Sequence, residues 1–103
     1  MKVRLVQNGV FTLIDNVAEA LDPPASGFYW IDAAPEDLLT LQPLFHLHEL
    51  AVEDCLHEEE QRPKLEIHDG HYFIVVNSIR FDDEEFFFRA VNIFLGKHFI
   101  ITV

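Results

Sequence analysis

The sequence predicts a mixed α/β layered domain, α+β in part, built on a largely antiparallel sheet of about six or seven strands with helices packed on its faces. Three observations carry that reading. Two turn dipeptides, Asn8-Gly9 and Asp69-Gly70, each separate runs rich in strand-forming residues. The run Phe28-Tyr29-Trp30-Ile31-Asp32 is apolar on both of its faces, as in a strand inside a layered sheet. Between them, Leu38, Leu41 and Phe45 recur at helical spacing.

The elements follow in order. Lys2 to Gln7 and Val10 to Ile14 flank Asn8-Gly9, whose residues tolerate the positive φ of a two-residue hairpin turn. Val17 to Leu21 reads as a short helical turn, and Asp22-Pro23-Pro24 as loop. Pro35 suits the first position of a helix, and Glu36 and Asp37 favour its positive end. Pro43 either ends that helix or bends it. A second short helix is entered through His46-Leu47-His48 and runs into an acidic patch, Glu58-Glu59-Glu60. Arg62-Pro63-Lys64 then forces the chain to extend. Leu65 and Ile67 alternate with Glu66 and His68, marking a strand with one wet face, and Asp69-Gly70 reads as a second primed turn. Tyr72 to Phe81, Phe86 to Leu95 and His98 to Val103 complete an antiparallel meander, with Asp82 to Glu85 as a solvated connection. The chain stops inside an apolar strand, which leads us to expect a piece of a longer polypeptide.

Composition narrows the function. The 103 residues fit one domain, 1–103, and with ten Phe and half the residues hydrophobic a packed core is expected. Eighteen acidic residues against seven basic ones give a net charge of −11. Nucleic acid is therefore excluded as a partner, because phosphate binding needs a basic footprint. Cations would instead concentrate near such a surface. No apolar run approaches the roughly 20 residues that span a bilayer, and the N-terminal residues lack the basic-then-apolar layout of a signal peptide, so the chain as given is expected to be soluble. The single Cys, Cys55, forms no internal disulfide.

The second helix holds the candidate chemistry. On a helical projection Leu47, Leu50, Ala51 and Cys55 share one apolar arc; Asp54 projects into that arc, while Glu49 and Glu53 lie off it. An inward carboxylate is costly unless a cation or several donors meet it. The acidic runs at Glu58 to Glu60 and Asp82 to Glu85 read as solvated faces. Among the six histidines, His46 and His48 diverge on a helix, His57 is distant, and His68 and His71 are able to meet across a hairpin mouth. No three- or four-ligand spacing for Zn²⁺ or Ni²⁺ appears, so a built transition-metal site is not expected. Ser26 and Ser78 lack a nucleophile-elbow context, and there is no phosphate-cradling Gly-rich loop, so no enzymatic activity is expected.

Read in register, Trp30-Ile31-Asp32, Leu47-His48-Glu49-Leu50-Ala51-Val52-Glu53-Asp54, Gln61-Arg62-Pro63-Lys64-Leu65-Glu66 and Phe94-Leu95-Gly96 followed by Phe99 to Val103 resemble the N-terminal cytoplasmic domain of CorA-type magnesium and cobalt transporters. The resemblance runs from about Phe28 to the last residue. It implies a homopentamer at the cytoplasmic face of the inner membrane, reaching the membrane only through a stalk and membrane helices that this sequence does not contain. It also implies that the domain senses divalent ions and does not itself conduct them. Glu53 and Asp54 match the positions whose carboxylates hold a regulatory Mg²⁺, or Co²⁺, between subunits, with the remaining ligands supplied by a neighbour. In the fragment alone that ion is not expected to be ordered. Trp30, Asp32, Arg62, Pro63 and Lys64 match structural positions. For Asp54 the alternative is a pair with Arg62 or a bond to backbone, anchoring the helix end. Two other readings stand beside the regulatory one: a stand-alone acidic protein-interaction module of the same fold, and a domain of the related zinc-transporting branch. A hydrolase built on Glu53, Asp54 and histidines would need three convergent ligands that the spacing does not supply.

Overall fold

A computed structural model describes residues 1–57 and 62–103; the acidic run Glu58 to Glu60, together with Gln61, lies outside the described residues. Seven strands form one sheet: β1 (Lys2–Gln7), β2 (Val10–Ile14), β3 (Phe28–Asp32), β4 (Lys64–His68), β5 (His71–Asp82), β6 (Glu85–Gly96) and β7 (Phe99–Thr102). Their spatial order is β2-β1-β3-β7-β6-β5-β4. Every neighbouring pair is antiparallel except β3 and β7, which run parallel. A parallel pair needs a long crossover, and α1 (Leu38–Phe45), α2 (Glu49–Leu56) and the β4–β6 meander supply it.

Local sequence sets each boundary. Asn8 and Gly9 have φ of 49° and 77°, as the primed turn demands. At the second hairpin only Gly70 is left-handed (φ 84°), so Asp69-Gly70 closes β4 on β5 with a different turn type from the one read in the sequence. The primed geometry appears instead at Asp83 and Glu84, φ 48° and 64°, within the run expected only to be a solvated link. Pro35 opens a 3-10 turn, Pro35–Asp37, and the Asp37 carboxylate accepts the Ala34 amide at 2.9 Å. Pro43 neither ends nor caps α1; the helix continues to Phe45. It stops at His46, whose left-handed backbone (φ 53°) lets the His46 and Leu47 amides both bond the Gln42 carbonyl.

The core lies on one face of the sheet. Val3, Tyr29, Ile31, Phe73, Val75, Phe94, Phe99 and Ile101 project there against Leu38, Leu41, Leu47, Ala51, Val52 and Cys55. The rings of Phe73 and Phe94, both fully buried, pack 4.9 Å apart. Alternation sends the neighbouring residues to the opposite face, and that face is also apolar: Phe28, Leu65, Ile67, Tyr72, Val76 and Leu95 are exposed on it. The both-sided pattern of Phe28–Asp32 is thus real, yet among the described residues the helices cover only one side of it.

Two residues depart from the sequence-based arc. Leu50 is 63% exposed and Val52 is buried instead. The cause is where the helix starts: α2 begins at Glu49, so Leu47 precedes it and cannot be placed on its helical projection.

Replacing Phe94 with Ala should lower the unfolding free energy by about 3–5 kcal/mol, because it empties a closed core position. Ile67→Ser, at a position 76% exposed, should shift it by less than about 0.5 kcal/mol. Urea titration of the two variants followed by far-UV circular dichroism checks both.

Candidate functional site

Strand β4 is amphipathic in the opposite sense to the usual edge strand. Its apolar residues Leu65 and Ile67 face outward, and its polar residues Lys64, Glu66 and His68 turn half-buried toward the helix side. Pairing fixes this, since Lys64 is opposite Val75, Glu66 opposite Phe73 and His68 opposite His71, all core-face residues of β5. The wet face read from the alternation is therefore the inner one.

That inner row meets α2. Asp54 lies near the C-terminal end of the helix, where the helix dipole disfavours a carboxylate and no basic residue occupies the last turn. Lys64 corrects the imbalance from another element. Its ammonium donates to Asp54 Oδ2 at 2.7 Å and sits 3.4 Å from Glu66 Oε2. The bond to Asp54, followed by the attraction of both carboxylates, raises the Lys64 pKa above its ordinary value of 10.5. The cation also lies 5.5 Å from the Phe73 ring centre. The alternative partner expected for Asp54 was Arg62; among the described residues no ion pair joins the two, and Arg62 is exposed ahead of the strand. Lys64, held in register by β4, takes that role.

The row continues past Glu66. Glu66 Oε1 is 3.1 Å from His68 Nε2, and the His68 ring stacks on His48 with centres 4.0 Å apart and planes 16° from parallel. His48 is the N-cap of α2: its Nδ1 accepts the Leu50 amide at 3.3 Å. Its own amide donates to His71 Nε2 at 3.3 Å. His68 and His71 do approach across the hairpin, at 5.4 Å between ring centres. A continuous polar seam thus runs along α2 from its last turn to its first. The clue in the sequence was the period-two placement of Lys64, Glu66 and His68. His48 joins them only through tertiary packing, so its part was not visible there.

Glu53 stands apart from the seam. Its side chain is 61% exposed, with His57 Nε2 at 3.6 Å one turn on. Adjacent helical residues diverge by about 100°, and the two carboxylates do not converge: Glu53 faces solvent while Asp54 faces Lys64. Among the described residues no three His, Cys, Asp or Glu side chains are arranged to hold a metal ion. Trp30 and Asp32 lie across the sheet from this site. Trp30 Nε1 donates to Thr102 Oγ1 at 3.0 Å, and that hydroxyl lies 3.4 Å from Asp32 Oδ1, tying the parallel strands β3 and β7 together.

The fold and the seam can now be set beside known proteins. The family model for CorA-like Mg²⁺ transporter proteins matches residues 25–103, so the chain belongs to that family of transporters. It is 38% identical over 94 residues to a Bacillus subtilis (strain 168) protein named "Putative metal ion transporter YfjQ"; the match covers 87% of this chain and 28% of that one. The sheet and helices superpose on the soluble domain of CorA from Methanocaldococcus jannaschii with a TM-score of 0.63 at 15% identity, covering 97% of this chain and 39% of that one. Against the complete CorA magnesium transporter of the same organism the TM-score is 0.67, also at 15% identity, with 99% and 31% covered. The chain therefore spans under a third of the length of the curated relative and has the fold of the CorA soluble domain. Among the described residues no helix is long and apolar enough to cross a membrane.

Cys55 packs in the core beneath this seam, and burial, followed by the Asp54 charge, pushes its thiol up to about 12. A maleimide or disulfide reagent at pH 8 should modify Cys55 in the folded chain about two to three orders of magnitude more slowly than in urea, because the thiolate is the attacking species. Stopped-flow absorbance with an aromatic disulfide reads the ratio.

Proposed function

We propose that this chain is the ion-sensing, regulatory part of a CorA-like divalent cation transporter, at the cytoplasmic face of the membrane, and that it does not itself form the conducting path. The observation that carries the reading is the split geometry of Glu53 and Asp54. Asp54 is fixed to β4 by Lys64, and one residue earlier Glu53 offers a solvent-facing carboxylate on the helix so anchored. Mg²⁺ takes hard oxygen ligands, keeps several waters and needs only one or two carboxylates from any one element. Glu53 suits that role as it stands. Asp54 joins only by exchanging the Lys64 ammonium for the ion. The remaining oxygens come from an adjacent subunit, so the site is complete only in an assembled homo-oligomer. Hard carboxylate oxygens suit Mg²⁺, and Co²⁺ is accommodated by the same oxygens. Held between subunits, such an ion favours the closed arrangement when it is plentiful.

A second reading, a stand-alone acidic interaction module, draws on the apolar sheet face that the helices leave uncovered among the described residues, since contiguous exposed apolar surface marks binding sites. Under that reading Mg²⁺ does not alter the protein's behaviour.

In the full-length polypeptide, millimolar Mg²⁺ should protect the assembled protein from limited proteolysis. The double change Glu53→Gln and Asp54→Asn should raise the Mg²⁺ concentration giving half protection by about tenfold or more, the effect of about 1.4 kcal/mol of lost binding. An unchanged midpoint would remove the regulatory reading and favour the interaction module.

A further inference from the structure

We propose that His48, His68 and His71 form a proton-sensitive clasp that holds the start of α2 to the β4–β5 hairpin and releases it on acidification. The clasp closes through ring nitrogens that must stay unprotonated. His71 Nε2 accepts the His48 amide, and His48 Nδ1 accepts the Leu50 amide. These two bonds satisfy donors at the N-terminus of α2, where the first amides have no partner within the helix. A proton on His71 Nε2 turns that acceptor into a donor facing another N–H, and the bond is lost.

The surroundings oppose such a proton. His71 is 5% exposed, and its pKa lies below the ordinary 6.5, first through burial and then through the neighbouring His68 and His48. From the turn, Asp69 pulls the other way, through a hydrogen bond from the ring to its backbone carbonyl and through its charge. From β4, Glu66 reaches His68 at 3.1 Å. From β6 the contact is the uncharged Phe94 ring, 5.8 Å from centre to centre. The His48 ring stacks face to face on His68 at 4.0 Å, which packs the clasp together. Because the folded value lies below 6.5, the unfolded or undocked chain takes up the proton first. The docked state is therefore fully favoured above about pH 6.5 and weakens as pH falls through the folded value.

A metal does not account for the cluster. Two of the rings lie nearly parallel, and the lone pairs of His71 Nε2 and His48 Nδ1 already accept backbone amides.

The test is nuclear magnetic resonance of the ¹⁵N-labelled chain between pH 7.5 and 5.0 in the presence of EDTA, so that its failure is separate from any failure of the ion-sensing reading. The His71 ring should titrate below 6.5. Across that midpoint the protection factor of the His48 amide, which His71 Nε2 accepts, should fall at least tenfold, while those of Ile31 and Ile101 hold. His71→Gln places a carbonyl oxygen as many bonds from Cα as Nε2 and cannot take up the proton, so the protection of its His48 amide should change less than twofold over the same range. A titration of His71 at or above 6.5, or an equal loss of protection in His71→Gln, overturns the clasp. If His71→Gln does not fold, His68→Gln decides. Removing that ring should move the His71 midpoint upward, and an unmoved midpoint overturns the proposal.

Discussion

Lys64 stands between Asp54 and Glu66, and the position of α2 depends on that arrangement. The helix is short, two turns and a fraction, and too short to be stable in isolation. Its apolar contribution is limited to Ala51, Val52 and Cys55, with Leu47 just before it. Its last turn carries a carboxylate where the helix dipole opposes one. What completes the docking is polar: an ammonium from β4 at one end and histidine acceptors at the other. Those groups are on the inner side of β4 because the strand lies at the edge of the sheet, where α2 covers them only partly and water still reaches the charged heads. Deeper in the sheet the same row would carry a desolvation cost of several kcal/mol per ion.

Much of the fold was legible in the sequence. Asn8-Gly9 and Asp69-Gly70 marked their hairpins, Phe28 to Asp32 marked a central strand, and the leucine spacing marked α1, because each of these signals is local. The failures share one cause. Alternation in β4 announces two faces but not which is inner; only its register against β5 decides that. The exposure of Leu50 followed from a helix that begins after Leu47. The histidine stack was half legible: His68 and His71 flank one turn, whereas His48 arrives from another element across the fold. For the same reason Lys64, two residues beyond the Arg62 considered for Asp54, was not picked out as a partner of that carboxylate.

The same polar seam joins the two functional readings. Family membership rests on the match over most of the chain, and the fold on its likeness to the CorA soluble domain; neither specifies what any side chain does. The residue-level proposal adds that Asp54 is not an idle surface acid but one end of a chain of contacts reaching the first turn of its own helix. On the two proposals made above, an ion replacing Lys64 at one end or a proton reaching His71 at the other would act on how firmly α2 is held. The apolar sheet face opposite is a separate matter, and among the described residues the helices do not cover its exposed apolar side chains.

The central claim is that the Asp54–Lys64 contact, rather than apolar packing alone, fixes α2 to β4. A double-mutant cycle with Asp54→Asn and Lys64→Met, read by urea unfolding at pH 7.5 and low salt, tests it most directly. The account predicts a favourable coupling of about 0.5–1 kcal/mol, the range for a partly exposed pair, shrinking in high salt. A coupling indistinguishable from zero at low salt, with each single change costing nothing, would contradict it.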